Sequence, residues 1–388
     1  MSARRGTVIA GGGTGGHIVP SLQIARAMVE RGHPPDMVEL YGSRRGQEAR
    51  MWPTLEFPYT LLPGRGIRRS LRPGALWANL GATAGLVWAC VRAFGSFARR
   101  RPRVAVIVGG YASFPAGLAA VMTRVPLVCV NTDAVPGAVN RVLGRFAAAN
   151  AVAFDGTGLP RSHVTGTPVL PELSSVNRSP AGVGVAREAL GLPDGRTTIA
   201  AVGGSLGALR VNRAVADLAG SWAPCAGRAL YHVTGRRDYD EFARGALTEA
   251  DGSPRSREGE AARDGGLFYK VVPFEDQMPQ FYAAADVYVT RAGAMTVAEL
   301  LVAGVPAILV PLPGAPRDHQ TRNAEALVGM GAAVHLPDAE CDGKRLAEEL
   351  EGLLADPARL RAMSEAARRH GHRDAAARVA ELVDAHAR

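Results

Sequence analysis

A glycine-rich turn between an apolar run and a helical pattern opens the chain, in the segment VIAGGGTGGHIVP at residues 8–20. Five of the six residues at 11–16, here called the first glycine loop, are glycine, and His17 follows them. A turn with so few side chains lets the backbone approach a phosphate or a neighbouring helix closely. The segment predicts a strand-turn-helix unit and leaves three interpretations open: a dinucleotide fingerprint, a sugar-nucleotide loop, or a turn without a ligand.

Short apolar runs alternate with helical patterns along the rest of the chain. TVIAGG, MVELYG, VAVIVGG and VPLVCVN are typical of buried parallel strands, and the rhythm restarts after residue 170 with TIAAVGG. Two such series predict an α/β protein with two Rossmann-like, doubly wound parallel-sheet domains facing each other across a cleft. We place the first domain at 1–168, the second at 169–370, and a helix at 371–388 that packs back on the first domain.

Composition narrows the cellular setting and the partners. The four cysteines form no paired motif, and the first apolar run is too short for a signal peptide, so a reducing cytoplasm fits best. A formal net charge of +9 favours an acidic partner, which is a nucleic acid, an anionic membrane or a phosphorylated substrate. A GC-rich genome, which favours arginine over lysine, is the alternative source of this charge.

An uncharged run at residues 73–91 lies between two groups of arginines. It approaches the length of a bilayer span, but it is rich in glycine and alanine and contains Asn79 and Thr83. Its large apolar residues recur at helical spacing, which predicts an amphipathic helix on a membrane surface or, alternatively, a core helix. The membrane-docking residues predicted here are Arg68, Arg69, Arg72, Trp77 and Trp88.

The first glycine loop satisfies the dinucleotide motif GxGxxG through Gly11, Gly13 and Gly16, and Glu39 lies near the expected ribose-binding position. Two details argue against a nicotinamide or flavin oxidoreductase. The loop carries an additional glycine, and His17 places a titratable group at the start of the helix.

A second glycine loop, Gly-Gly-Ser at residues 203–205, repeats the order of strand, glycines and helix. Two helix N-termini predict a donor diphosphate at one loop and an acceptor phosphate at the other. Further along, Glu299 can accept both hydroxyls of a ribose, and Gln320 and Asn323 can read sugar hydroxyls or serve as buried capping groups. The DxD at 238–240 enters a helix, where acids are common, and we assign no metal to it.

These segments together resemble the MurG family of peptidoglycan N-acetylglucosaminyltransferases, which has the GT-B fold. The matching segments follow the family order over nearly the whole chain: GGTGGHIVP at 12–20, VGGYASFP at 108–115, GGSLGALRVN at 203–212, RAGAMTVAE at 291–299 and DHQTRNA at 318–324. The resemblance implies an inverting transfer of N-acetylglucosamine from UDP-N-acetylglucosamine to the C4 hydroxyl of the N-acetylmuramoyl unit of lipid I, which forms lipid II. It also implies anionic lipids of the inner leaflet as partners, a peripheral location on the cytoplasmic face of the cell membrane, no nucleic acid, no metal and no cofactor.

The family's site residues carry over onto matching positions of this chain. The first glycine loop approaches the donor sugar or the acceptor diphosphate, the second holds the donor diphosphate, and Phe274 and Glu275 meet the uracil edge through their backbone. The substrate-binding residues implied in this way are Thr14, Gly15, Gly16, Asn140, Ser205, Phe274, Glu275, Ala294, Met295, Thr296, Glu299, Gln320 and Asn323.

Two departures from the family pattern affect the catalytic assignment. Residues 130–133 are Val-Asn-Thr-Asp where the family has His-Glu-Gln-Asn, and Leu170 stands where an arginine is expected near the donor. The first departure removes a carboxylate at Asn131 and adds one at Asp133. We rank His17 first as general base and Asp133 second, while His17 as a hydrogen-bonding group for the acceptor phosphate stays open. A transferase with another acceptor and a UDP-sugar-binding homologue without activity are the alternatives in function.

Overall fold

The computed structural model describes residues 6–64, 73–203, 208–246 and 266–388, with side chains at all of these except 73–80 and 244–246. Contacts between Cα atoms divide the chain into two compact units. The first unit is Met1–Leu170 with His372–Arg388, and the second is Pro171–Gly371. Both units are built on parallel sheets, so the prediction of two doubly wound α/β domains is confirmed in its sheet architecture.

The first unit contains a parallel sheet with strand order β3-β2-β1-β4-β5-β6-β7. Its central strands are buried apolar runs because helices cover the sheet on both sides. Alternate residues of β1 point to the two sides: Ile9 packs with helix α1, and Val8 packs with α3 and α4. The strands are β1 (Thr7–Ala10), β2 (Val38–Ser43), β3 (Tyr59–Leu62), β4 (Val104–Ile107), β5 (Leu127–Asn131), β6 (Ala149–Val152) and β7 (Ser162–Val164), and the helices are α1 (Gly15–Glu30), α2 (Glu48–Met51), α3 (Pro73–Arg100), α4 (Phe114–Thr123) and α5 (Ala138–Leu143).

The second unit repeats this plan with strand order β10-β9-β8-β11-β12-β13, again all parallel. Val215 of helix α8 and Leu350 of helix α13 pack on Ile199 of the sheet in one apolar cluster. The strands are β8 (Thr197–Val202), β9 (Arg228–Val233), β10 (Phe268–Val272), β11 (Val287–Thr290), β12 (Ala307–Leu309) and β13 (Ala333–His335), and the helices are α6 (Pro171–Ser174), α7 (Pro180–Ala189), α8 (Leu209–Ser221), α9 (Tyr239–Ala246), α10 (Met278–Ala284), α11 (Ala294–Ala303), α12 (His319–Gly329), α13 (Gly343–Leu354) and α14 (Pro357–His370).

Helix α15 (Ala375–His386) belongs to the first unit, although it follows the second unit in sequence. Val379 and Val383 are buried beside α1 in the core of the first sheet. At the surface, Asp384 accepts hydrogen bonds from Arg31 at 2.9 Å and from His33 at 2.8 Å. Apolar packing and a charged contact therefore both hold α15 on α1.

The helix predicted from residues 73–91 is α3, which continues to Arg100. Four of its large apolar side chains face solvent: Val87, Trp88, Val91 and Phe94 are between 41% and 59% exposed and follow the spacing of one helix face. The buried face consists of Ala82, Ala89, Ala93 and Phe97. The core-helix alternative is therefore wrong for this face. Within the described ranges, no helix combines the length and hydropathy that a membrane crossing requires.

Candidate functional site

The predicted motifs lie where the strand order of each sheet reverses. In the first sheet β1 lies between β2 and β4, and in the second β8 lies between β9 and β11. The first glycine loop follows β1, and residues 108–110 follow β4. The second glycine loop follows β8, and residues 291–293 follow β11. Ligands of doubly wound sheets bind outside the carboxyl ends of the strands at this point. The described motif residues of each unit directly follow strands that end at this edge.

His17 lies in the first turn of α1, where the first glycine loop meets the segment after β4. Its Nδ1 atom lies 3.1 Å from the Thr14 hydroxyl oxygen. A Cβ on Gly109 would lie 3.3 Å from His17 Nε2, and one on Gly110 would lie 3.1 Å from His17 Nδ1. Both glycines have positive φ, +98° and +73°. Glycine is required here because the imidazole lies against the backbone.

Amide side chains fix the end of β5 beside this histidine. Asn140 is buried, and its Nδ2 atom donates to the Val130 carbonyl at 2.8 Å. Asn131 donates to the carbonyl of Asp133 at 2.6 Å, which holds the turn that carries the partly exposed Asp133. A Cβ on Gly109 would lie 3.5 Å from Asn140 Nδ2. Asn140 therefore lies next to Gly109, which also contacts His17. The Asn140 amide donates its hydrogen bond to the backbone of β5.

Glu39 does not occupy a ribose-binding position. It pairs with Val8 near the amino end of β2, whereas a ribose site requires the carboxyl end. Arg100 donates to its Oε2 atom at 2.7 Å and Thr60 donates to its Oε1 atom at 2.7 Å. The sequence interpretation of Glu39 is wrong because the spacing from the glycines did not fix the start of β2.

Glu48, the first residue of α2, is a functional candidate that the sequence analysis missed. It is fully buried, and its two carboxylate oxygens accept hydrogen bonds from backbone N–H groups of Gly13 and Ser43. Its only signal in the sequence is an acid placed shortly after a strand that ends at the same sheet edge. The contact with the first glycine loop spans 35 residues and could not be inferred from local spacing.

In the second unit, the N-terminus of α11 opens at the carboxyl end of β11. Gly293 is the N-cap and has no side-chain hydrogen bond, and a Cβ there would meet no atom within 4 Å. Asn323 donates to the carbonyl of Ala292 at 3.1 Å and is fully buried. Of the two roles that the sequence left open, a contact with sugar hydroxyls and a buried capping group, the structure shows the buried hydrogen bond to the backbone. The residues predicted to approach the diphosphate, Ala294, Met295 and Thr296, form the first turn of α11 and are partly exposed.

Glu299 lies in α11, in the turn that follows these three residues. Tyr282 donates a hydrogen bond to its Oε2 atom at 2.7 Å. Burial raises the pKa of Glu299 to about 7, and the Tyr282 hydrogen bond opposes that rise. A carboxyl group with this pKa exchanges its proton near neutral pH, so its capacity to accept two hydrogen bonds depends on pH.

The segment predicted to meet a uracil follows β10. Phe274 is exposed, with the Arg236 guanidinium 5.1 Å from its ring centre. Glu275 is buried and accepts hydrogen bonds from the Gln277 backbone N–H at 2.6 Å and from the Tyr231 hydroxyl. The Glu275 side chain is therefore engaged inside the unit, which is consistent with a binding role for the backbone alone.

The remaining predicted residues differ in what the structure shows. Gln320 is partly exposed and accepts a hydrogen bond from the Leu312 backbone N–H at 2.9 Å. Trp88 lies on the exposed face of α3. Ser205 and the docking arginines at 68, 69 and 72 lie outside the described residues, and Trp77 lies in α3 where side chains are not described.

Asp338 joins two segments of the second unit that the sequence analysis treated separately. Its Oδ1 atom lies 2.5 Å from Arg291, which precedes α11, and its Oδ2 atom lies 3.1 Å from Arg210 in α8. Arg291 also donates to the carbonyls of Val310 and Pro311. One carboxylate therefore connects the N-terminal ends of α8 and α11.

The DxD motif at residues 238–240 has protein partners at its first carboxylate. Asp238 pairs with Arg237 at 2.6 Å and accepts from Asn212 at 3.1 Å. Among residues 6–64, 73–203, 208–246 and 266–388, no group of three or more histidine, cysteine, aspartate or glutamate residues is arranged to hold a metal ion.

Two family models match successive parts of the chain. Residues 7–152 match the N-terminal domain of glycosyltransferase family 28, and residues 198–379 match its C-terminal domain.

Full-length relatives carry one enzyme name, UDP-N-acetylglucosamine–N-acetylmuramyl-(pentapeptide) pyrophosphoryl-undecaprenol N-acetylglucosamine transferase. The protein of that name from Alkalilimnicola ehrlichii is 40% identical over 379 residues, and that from Desulforudis audaxviator is 36% identical over 383 residues; 97% of each chain is covered in both alignments. The crystal structure of Acinetobacter baumannii MurG superposes with a TM-score of 0.74 at 27% identity, covering 98% of this chain and 100% of that one.

Proposed function

The chain belongs to the MurG family within glycosyltransferase family 28, and on this premise we infer that it moves N-acetylglucosamine from UDP-N-acetylglucosamine to the C4 hydroxyl of the N-acetylmuramoyl unit of lipid I, forming lipid II. The observation that carries this function is the match to relatives of that name over 97% of the chain.

His17 is the proposed general base. In an inverting transfer the acceptor oxygen attacks the anomeric carbon, loses its proton, and the bond from that carbon to the UDP oxygen breaks. His17 Nδ1 lies 3.1 Å from the Thr14 hydroxyl oxygen. In the tautomer in which Nδ1 donates to that oxygen, Nε2 is the nitrogen proposed to accept the proton. Asp133 is the second candidate, since Asn131 holds its turn in place.

The second unit is the proposed donor site. The N-terminal turn of α11 supplies backbone N–H groups and the positive end of the helix dipole for the UDP diphosphate, and Ser205 is proposed to add a hydroxyl. The Glu299 carboxylate accepts hydrogen bonds from the ribose hydroxyls, and the backbone at Phe274 and Glu275 bonds to the uracil edge. The Gln320 amide hydrogen-bonds to hydroxyls of the donor sugar. Helix N-termini then stabilise the negative charge that develops on the departing UDP, so we propose a reaction without metal or cofactor.

The first unit is the proposed acceptor site. The N-terminus of α1 carries no acid in its first turn, and the Thr14 side chain contacts His17 instead of capping the helix. The N–H groups of Gly15 and Gly16 are therefore proposed to bind the acceptor diphosphate. Of the two ligands that the sequence left open for this loop, the donor sugar and the acceptor diphosphate, we therefore propose the acceptor diphosphate.

UDP release from UDP-N-acetylglucosamine tests the function directly. We expect release that depends on a short-chain lipid I analogue and that continues in the presence of EDTA. Donor binding without release would contradict the transferase and support a binding homologue. Release only with a different acceptor would show that the substituted turn at residues 130–133 selects another substrate.

The exposed face of α3 is the proposed contact with the inner leaflet. Its valine and aromatic side chains can enter the interface, while the flanking arginines meet anionic head groups. A lipid-linked acceptor requires such a position, because its polyprenyl tail stays in the bilayer.

Joint substitution of Trp88→Ser and Val91→Ser should weaken binding to phosphatidylglycerol vesicles by about 10-fold or more, since two interfacial apolar side chains are lost. Vesicle flotation measures this. Replacing Arg68, Arg69 and Arg72 by glutamine should weaken binding further at low salt and make it less sensitive to salt. Val185→Ser, at a more exposed valine of the second unit, serves as the control and should leave binding unchanged. Equal flotation of all variants would contradict the assignment.

A further inference from the structure

The Glu48 carboxylate lies fully buried beneath the first glycine loop. Its Oε2 atom accepts a hydrogen bond from the Gly13 backbone N–H at 2.9 Å, and its Oε1 atom accepts one from the Ser43 backbone N–H at 2.8 Å. The carboxylate thus joins the loop after β1 to the end of β2. Hydrogen bonds from two backbone donors compensate for the loss of water around this group.

Two glycines leave the space that the carboxylate occupies. A Cβ on Gly12 would lie 2.2 Å from Glu48 Oε1, and one on Gly46 would lie 2.0 Å from Oε2. Any larger residue at either position would displace the carboxylate, because these distances are far below contact. Part of the glycine content of the loop therefore serves a protein carboxylate.

In a dinucleotide fingerprint the loop N–H groups are left for a pyrophosphate, and the acidic residue lies on the ribose. Here a carboxylate of the chain itself occupies the Gly13 N–H. A phosphate at the same place would meet a buried negative charge and one donor fewer. The anion-binding capacity of this loop is consequently limited to the N–H groups nearer the start of α1.

We propose that the Glu48 carboxylate occupies the anion position of the first glycine loop and acts as a positioning residue. It holds the segment at residues 14–17 in place for the acceptor, and it excludes a nucleotide diphosphate from the Gly12–Gly13 end of the loop. Acceptor recognition by residues 14–17 rests on the proposed function. The hydrogen bond between Glu48 and Gly13 is independent of that function, so the role in acceptor recognition and the hydrogen bond can be tested separately.

The test uses the full-length protein with Glu48→Gln and Glu48→Ala. Glutamine has one acceptor oxygen for two N–H donors, so we expect kcat/KM for the lipid I analogue to fall by about 10-fold, while the Kd for UDP stays within about twofold. The amide protons of Gly13 and Ser43 should exchange faster in the variant. Glu30→Gln, at an exposed glutamate of the same unit, is the matched control and should change neither.

Chemical rescue separates charge from space filling. Added formate should restore acceptor turnover of Glu48→Ala, whereas formamide, of equal size but neutral, should not. Rescue by both compounds, unchanged acceptor kinetics in Glu48→Gln, or loss of UDP binding together with acceptor turnover would each overturn the positioning role. Amide exchange at Gly13 is measured without substrate, so it reports on Glu48 even if the wild-type protein shows no acceptor-dependent UDP release.

Discussion

Replacing His17 by alanine should lower acceptor-dependent UDP release by about 10²- to 10⁴-fold, the usual contribution of a general base. The imidazole lies against Gly109 and Gly110, where an added Cβ would come within 3.3 Å and 3.1 Å of its ring nitrogens. Steady-state kinetics with UDP-N-acetylglucosamine and a short-chain lipid I analogue measures the loss. The Kd for UDP should stay within about twofold, because the proposed UDP contacts lie in the second unit.

His17→Gln distinguishes the base from a group that only binds the acceptor phosphate. Glutamine can donate a hydrogen bond but does not titrate, so a base role predicts that its activity stays as low as that of alanine. His163→Ala, at an exposed histidine of the same unit, is the control. If His17→Ala turns over at nearly the wild-type rate and Asp133→Asn does not, Asp133 is the base.

Glu299→Gln should weaken UDP binding by about 100-fold, since hydrogen bonds to a charged acceptor are each worth about 1.5–3 kcal/mol and the ribose offers two. Calorimetric titration with UDP measures the change. Glu325→Gln, at an exposed glutamate of α12, provides the control. Unchanged affinity in Glu299→Gln would remove Glu299 from the ribose site.

The wild-type affinity should depend on pH in a defined direction. Because burial raises the pKa of Glu299 to about 7, the carboxyl of the free protein is mostly protonated below that pH and accepts ribose hydroxyls poorly. UDP affinity should therefore rise as pH increases through 7 and level off above it. The affinity of Glu299→Gln should not show this step.

The same titration affects stability with the opposite sign. Between the ordinary pKa of 4.5 and about 7, the folded state keeps a proton on Glu299 that the unfolded chain has lost. Since the folded state then binds more protons, the contribution of this group to the free energy of unfolding decreases as pH rises across that window. Thermal unfolding of wild type and Glu299→Gln in the absence of UDP should show this difference.

Much of the fold could be predicted from the sequence because buried parallel strands are continuous apolar runs. VAVI in β4 and TIAAV in β8 are of this kind. The missed strands lack that signal. β7 has three exposed residues, and β6 is alanine-rich with a buried asparagine, Asn150, whose amide donates to the carbonyls of Gly144 and Pro160. Such strands can be identified only in the structure, from the neighbouring strands with which they pair.

The candidate site divides in the same way. The contact between Thr14 and His17 could be predicted from the sequence, because the two residues lie three positions apart where a helix begins. Glu48 and Asp338 could not, because each acts on a loop distant in sequence. Asn323 shows the converse limit: its amide was identified, but whether it faced solvent or the backbone of Ala292 depended on packing.

The membership of α15 in the first unit has a consequence for the order in which the protein is made. Domains generally fold as units during synthesis, with the N-terminal one first. Here the first sheet is synthesised early, but Val379 and Val383, which cover part of it beside α1, emerge only after residues 171–371. The second unit can complete its core on the ribosome first, while the first unit keeps an apolar face open until α15 arrives. A nascent chain stalled before residue 375 would therefore expose that face to chaperones.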